Sequence, residues 1–335
     1  MSYFPTGKLN TAFLEKMFDY FDKDNSRLVV GPKIGEDAAV IDMPDQYLVA
    51  KTDPVTLARD EEIGWYAVNV NANDVAVTGA KPKWFQVTML LPENKSDEDM
   101  VKNIFSQIEK ACGEIDVTVV GGHSEVTPGL NTPILVGSMI GEVEKDKLVK
   151  TSSAEMDDDL ILTKGIVVEG TSIVAREKEE ELLDRGFDEG FVQKAKNYLY
   201  KPGISVVKDA LLANQYKVHS MHDPTEGGLS MGLFEMMKAS DKGVLVNLDN
   251  VPVLPCSEIC IEFDLDVFNT ISSGSLLISA PPSESDKIIH SLKNNNIEAS
   301  VIGKVKEKDF GLKVRENDEV RDLSFSEKDE ITKLF

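Results

Sequence analysis

The chain has 335 residues, with 58 acidic side chains against 36 lysines and arginines and a formal net charge of -22. That balance excludes nucleic acid or an anionic membrane as the main partner, since both need a basic footprint. The length leads us to expect two domains, 1–150 and 151–335, each large enough to bury its own core.

No run approaches the roughly 18 apolar residues of a membrane span, and the start, MSYFPTGKLN, lacks a signal-peptide core, so a cytoplasmic protein is expected. The three cysteines, Cys112, Cys256 and Cys260, are an odd number that fits a reducing compartment better than a disulfide framework. Cys256 and Cys260 share a helix face by spacing, but no second Cys/His pair completes a zinc set, and burial as small apolar groups is expected.

In chain order, LNTAFLEKMFDYFD (9–22) predicts an amphipathic helix. Thr6-Gly7-Lys8 precedes it, and Lys8 is a candidate phosphate contact or a surface lysine. Residues 26–55 alternate like strands joined by turns, and they put Asp37 and Asp53 beside apolar runs, where a carboxylate is costly without a cation or donors. VNVNANDVAVTGAKPKWF (68–85) starts on a helical rhythm, with Asn69, Asn71, Asn73 and Asp74 between the apolar positions, which predicts amides and a carboxylate along one side of a helix. Thr78-Gly79-Ala80 and Pro82 then stop it, and a strand is expected from Trp84 to Leu91.

Residues 97–113 read as a second amphipathic helix. In DVTVVGGHSEVTPG, the residues Val117, Val119 and Val120 read as buried strand, and Gly121-Gly122 delivers His123, Ser124 and Glu125 to the strand end, where functional groups gather. Residues 134–143 predict another strand, with the domain boundary expected near Lys150. The second half opens on the strand LILTKG, followed by a turn and helix in VVEGTSIVA whose bland reading is packing. A strongly acidic helix with a solvated face is expected over EKEEELLDRGFDEGFVQKAKNYL, then a third amphipathic helix over 202–215. HDPTEGGLSMGLFEMMKAS places Asp223 and Thr225 before Gly227-Gly228 and a helical stripe, an arrangement suited to a phosphate or its metal, or to an ordinary helix cap. GVLVNL, ISSGSLLISAPP and ASVIGKV supply strands, ESDKIIHSLKNNN supplies a helix with His290 on its surface, and the charged tail after Val314 carries no signal.

Taken together, GEDAAVI, TDPVT, AVNVNANDVAVTGAKPKWF, VVGGHSEVTPG, HDPTEGGL and ISSGSLLIS resemble, in order, the superfamily of aminoimidazole ribonucleotide (AIR) synthetase, the hydrogenase maturation protein HypE, selenophosphate synthetase and thiamine monophosphate kinase. The resemblance implies an α/β (α+β) PurM-like fold with two domains. It also implies a homodimer whose N-terminal sheets join into a barrel, and use of ATP with Mg2+. By motif, it makes Asp37, Asp53 and Asp74 the metal and phosphate ligands. Asn71 and Asn73 would line that site, Gly121, Gly122 and His123 would form a nucleotide loop, and Asp223, Thr225 and Gly227 would be the second domain's contribution. Asp53, Asp74, His123 and Asp223 are the expected catalytic set.

The implied chemistry is phosphoryl transfer that activates a carbonyl or amide-type oxygen on a small-molecule or protein-borne acceptor, in hydrogenase or cofactor maturation. The sequence ends EITKLF, where HypE-type proteins carry a cysteine, so a HypE-like paralogue is expected. The alternatives are a nucleotide-binding scaffold with reduced catalysis and a small-molecule kinase similar to thiamine monophosphate kinase.

Overall fold

The computed structural model describes residues 4, 9–21, 25–56, 62–326 and 328–335; Thr6, Gly7 and Lys8 lie outside them. Contacts divide the chain into an N-terminal unit, Asn25–Gly31 with Asp37–Leu148, and a C-terminal unit, Val149–Phe335 with Pro32–Glu36 and the described part of Met1–Asp24.

The N-terminal unit is built on strands β1 (Leu28–Val30), β2 (Ala39–Asp42), β3 (Tyr47–Val55), β4 (Lys81–Pro92), β5 (Thr118–Thr127) and β6 (Ile134–Val143), in the spatial order β1-β2-β3-β6-β4-β5. All neighbours are antiparallel except β4 and β5. Those two need a crossover, which the helix Glu98–Glu114 provides. Asp97 starts that helix by accepting the Met100 N–H at 2.8 Å, and Ile104, Ile108, Ala111 and Cys112 form its buried stripe.

A second helix, Ile63–Ala76, lies against one face of the sheet, close enough that only glycine fits beneath it. A Cβ on Gly137 would stand 2.3 Å from Asn71 Nδ2, and one on Gly141 would stand 2.4 Å from Val75 Cγ1. The two glycines are four apart on β6 and so share a face. As a result every residue of the helix except Val70 is buried. This corrects the expected polar side: a helix packed this closely has no open flank, so its amides turn inward. Asn69 Nδ2 donates to Trp65 O and Asn71 Nδ2 to Ala67 O, each at 2.9 Å.

The C-terminal unit carries β7 (Asp159–Thr163), β8 (Ser220–His222), β9 (Gly243–Asn247), β10 (Leu277–Ala280), β11 (Ala299–Lys306), β12 (Leu312–Glu316) and β13 (Glu319–Asp322), ordered β13-β12-β9-β11-β7-β10-β8. Helices Val168–Glu177, Val207–Ala213, Gly228–Ser240 and Pro282–Asn294 are amphipathic or buried, and the stripe Leu229, Leu233, Met236 and Met237 is fully in the core. The expected single acidic helix is two, Glu179–Asp184 and Glu189–Lys196, because Gly186 turns the chain at φ +93°. Leu182, Val192 and Ala195 bury its apolar side, so it is not merely solvated. The tail beyond Val314 is also structured, since it pairs as β13 and ends with Asp329 and Ile331 buried. All three cysteines are free and buried.

Candidate functional site

The convergence of acidic groups lies in the N-terminal unit. Strand alternation puts Lys51 and Asp53 of β3 on the face that the buried helix covers. There, Asn71 clamps the backbone of Asp53: its Oδ1 accepts the Asp53 N–H at 2.8 Å and its Nδ2 donates to the Asp53 carbonyl at 3.3 Å. Asn71 therefore positions Asp53 rather than lining an opening. Asp74, nearly one turn further along the helix, places Oδ2 2.7 Å from Lys51 Nζ, and Asp53 Oδ2 lies 3.3 Å from the same ammonium. Asp37 reaches both Lys51 and Asp74 electrostatically. Asn73 is buried in the same helix.

One ammonium faces three carboxylates here. Burial lifts the Asp74 carboxyl to about 7; Lys51 opposes the lift, and Asp37 and Asp53 add to it. For Lys51, burial works to lower the pKa, but Asp74, Asp53 and Asp37 outweigh it and the ammonium stays charged. Three carboxylates against one ammonium leave this cluster short of positive charge, and Lys51 answers Asp53 and Asp74 directly.

His123 is not brought to this cluster. Across the sheet, Asp53 pairs with Gly137, Gly137 with Val87, and Val87 with Gly122, so Asp53 and Gly122 share a face and His123 stands on the opposite one. The expected nucleotide loop is in fact mid-strand. Gly121 and Gly122 lie within β5, and a Cβ on Gly122 would meet Val87 O at 2.1 Å, so this glycine is needed for close pairing of β5 with β4. The expected burial of Val119 and Val120 also fails: β5 is the sheet's edge, and these valines are 45% and 48% exposed. His123 Nε2 instead sits 3.2 Å from Glu125 Oε2, which sits on the same face of the strand.

In the C-terminal unit, Asp223 follows β8 and is 2% exposed, and Thr225 O accepts the N–H groups of Gly228 and Ser272. Gly227 caps the helix Gly228–Ser240 in a left-handed conformation, and a Cβ on Gly228 would press on Thr270 O at 2.6 Å. The N–H of Gly227, expected to be open to a phosphate, is already taken by the Asp329 carboxylate at 2.6 Å.

Glu169, in the first turn of Val168–Glu177, is 6% exposed, and its Oε2 has no hydrogen-bond partner. Burial pushes this carboxyl up to about 7; Ser273 opposes the shift, and Asp329 and Glu226 add to it. A folded-state pKa above the ordinary 4.5 means that stability is fully present below that value and falls as pH rises toward about 7. Glu169→Gln is therefore expected to match the natural chain near pH 4.5 and exceed it at pH 8 by about 3 kcal/mol. Urea titrations at the two pH values measure the difference.

Lys51, Glu169 and Asp329 were not anticipated. Lys51 was legible, since in KTD it sits two residues from Asp53 and so on the same strand face. Glu169 and Asp329 are paired with residues distant in sequence, which no spacing reveals.

The model of the AIR synthase related protein N-terminal domain matches residues 35–143, and that of its C-terminal domain matches residues 155–315. A Methanocaldococcus jannaschii protein named for hydrogenase expression/formation is 26% identical over 281 residues, covering 82% of this chain and 80% of its own. Carbamoyl dehydratase HypE of Rhizobium leguminosarum bv. viciae is 23% identical over 282 residues, covering 82% and 77%. Among solved structures, hydrogenase maturation protein HypE in complex with ATP superposes with a TM-score of 0.67 at 23% identity, covering 97% of this chain and 98% of that one. The two sheets with their helices thus share the fold of that HypE structure. With both domain models matched in order along it, the chain belongs to the AIR synthase-related, PurM-like family.

Proposed function

We propose that the chain is an ATP- and Mg2+-dependent enzyme that phosphorylates a carbonyl or amide-type oxygen, in hydrogenase or cofactor maturation. The single observation that carries this reading is the meeting of Asp53 and Asp74 on Lys51, with Asp37 in electrostatic reach. Phosphoryl transfer asks for positioning and charge neutralisation more than for covalent help. The residues supply both: Asn71 fixes the backbone of Asp53, the buried helix fixes Asp74, and Lys51 holds a permanent positive charge between them. Mg2+, when bound, would neutralise phosphate charge and tie it to the carboxylates. Support also comes from the relatives, one named a carbamoyl dehydratase and one solved with ATP.

The reading includes a homodimer. In one chain the edge strand β5 leaves Val119, Val120 and Val126 exposed, apolar side chains on a sheet edge of the kind a protein ordinarily covers. His123 belongs to this edge in our reading, rather than to the carboxylate cluster. The acceptor is a small molecule or a group on another protein.

Asp53→Asn removes one charged ligand while leaving the Asn71 clamp on the backbone. It is expected to weaken Mg·ATP binding about 10- to 100-fold, the usual worth of a charged hydrogen-bonding group. Calorimetric titration with unchanged circular dichroism is the test, and an unaltered affinity would remove the metal assignment.

A further inference from the structure

The carboxylate cluster of the N-terminal unit already holds a cation of its own. Lys51 Nζ stands 2.7 Å from Asp74 Oδ2 and 3.3 Å from Asp53 Oδ2, and Asp37 is within electrostatic reach of it. The strand beneath is held in register, since Lys51 pairs with Met139 of β6, Asp53 with Gly137, and the Thr52 hydroxyl between them donates to Gly137 O at 2.7 Å. Across the cluster the side chains become more exposed, from 8% for Asp74 through 20% for Lys51 to 39% for Asp53. The cluster therefore opens to solvent on the side of Asp53, and a ligand would arrive from there.

A bare divalent ion drawn to these carboxylates meets an occupant. Mg2+ needs oxygens at about 2.0–2.1 Å and gives up its waters reluctantly, yet the Oδ2 atoms of Asp53 and Asp74 are the ones that the ammonium already engages. Like charges held a few ångströms apart in a partly buried site repel strongly. Ammonium and free metal thus compete for the same oxygens. A metal bound to a polyphosphate escapes that conflict, because the phosphate oxygens offer the displaced ammonium a new partner, and lysine binds phosphate as a point charge.

We infer that Lys51 is the resident counter-ion of this site: it keeps free divalent metal off Asp53 and Asp74, and yields those carboxylates only to metal arriving on a polyphosphate, its ammonium moving to the phosphate. The second half of the exchange rests on the ATP reading, whereas the exclusion of free metal stands on the contacts above. Lys51 is in this way a specificity-determining residue, selecting the metal–nucleotide complex over the bare ion.

The test titrates Mn2+, without nucleotide, into the full-length chain and its Lys51→Met, Lys51→Arg and Lys51→Met/Asp74→Asn variants. Calorimetry is expected to show Lys51→Met binding Mn2+ about tenfold more tightly than the natural chain, since no charge-assisted hydrogen bond has to be broken first. Lys51→Arg, which keeps the charge, is expected to bind as weakly as the natural chain, and the gain is expected to vanish in Lys51→Met/Asp74→Asn. A second readout needs no variant, and so stands even where Lys51→Met fails to fold. Acetylation of Lys51 in the natural chain, followed by mass spectrometry, is expected to be unchanged by Mg2+ alone and slowed severalfold by Mg2+ with a non-hydrolysable ATP analogue. The inference is overturned by Mn2+ binding the natural chain as tightly as Lys51→Met, by Mg2+ alone altering the acetylation, or by an analogue that binds and leaves it unaltered. An analogue that binds no chain removes the ATP reading, while the Mn2+ titration still decides whether Lys51 excludes free metal.

Discussion

Lys51→Met is expected to lower the unfolding free energy of the metal-free N-terminal unit by about 3–5 kcal/mol at pH 8, the range for stripping a buried charge of its partner. The ammonium is the only cation found on Asp53 and Asp74 among the described residues, at 3.3 and 2.7 Å, and methionine fills much the same volume without the charge. The effect should depend on pH. Asp74 has a folded-state pKa of about 7 against an ordinary 3.8, so the folded chain holds a proton that the unfolded chain releases, and stability falls as pH rises between those values. Without Lys51 the opposing cation is gone, and the falling window extends above pH 7. The Lys51 charge is itself constant through this range, because its folded pKa lies above the ordinary 10.5 and its contribution is lost only in strong alkali. The penalty is thus expected to be large at pH 8 and small at pH 5. Both tryptophans, Trp65 and Trp84, belong to the N-terminal unit, so fluorescence-detected urea unfolding reports on it directly. Equal penalties at the two pH values would assign the effect to packing instead of charge.

The carboxylate cluster was legible because each acidic residue interrupts an apolar run, and a buried carboxylate demands a partner wherever the fold takes it. Asp37, Asp53 and Asp74 carry that signature individually. What hydropathy cannot show is which face of a sheet a strand presents after it crosses its neighbours. His123 and Gly122 are adjacent in sequence, yet only Gly122 shares a face with Asp53, a relation carried through two intervening strands. The glycines illustrate the same limit. Gly121-Gly122 and Gly227-Gly228 read as room for a ligand, whereas Gly122 and Gly228 give room to Val87 O and Thr270 O of the chain itself. In both places the group that approaches the glycine is backbone. The tail escaped because Asp329 makes its contact to Gly227 across about a hundred residues of chain, and charged composition around it matches that of a solvated end.

Gly137→Ala is expected to destabilise the N-terminal unit by about 3 kcal/mol, well beyond what one methyl group costs elsewhere in the fold, because it adds overpacking to the loss of a buried hydrogen bond. The new Cβ would lie 2.3 Å from Asn71 Nδ2 and 2.9 Å from Ala67 O, so either β6 backs away from the helix or the amide swings off. If the amide moves, its bonds to Ala67 O and the Asp53 backbone go with it, and the carboxylate of Asp53 loses its fixed position. Mg·ATP affinity should then fall along with stability, although residue 137 contributes no side chain to the cluster. Gly113→Ala is the control: at the exposed end of the helix Glu98–Glu114 a Cβ meets nothing within 4 Å, and alanine there is expected to stabilise by about 0.5–1 kcal/mol. A double-mutant cycle locates the mechanism. In an Asn71→Ala background the space taken by the amide is vacant, so Gly137→Ala should cost at least ~1 kcal/mol less than it does alone. Strict additivity would show instead that the strain falls on the Ala67 carbonyl, and that the clamp on Asp53 tolerates the methyl group.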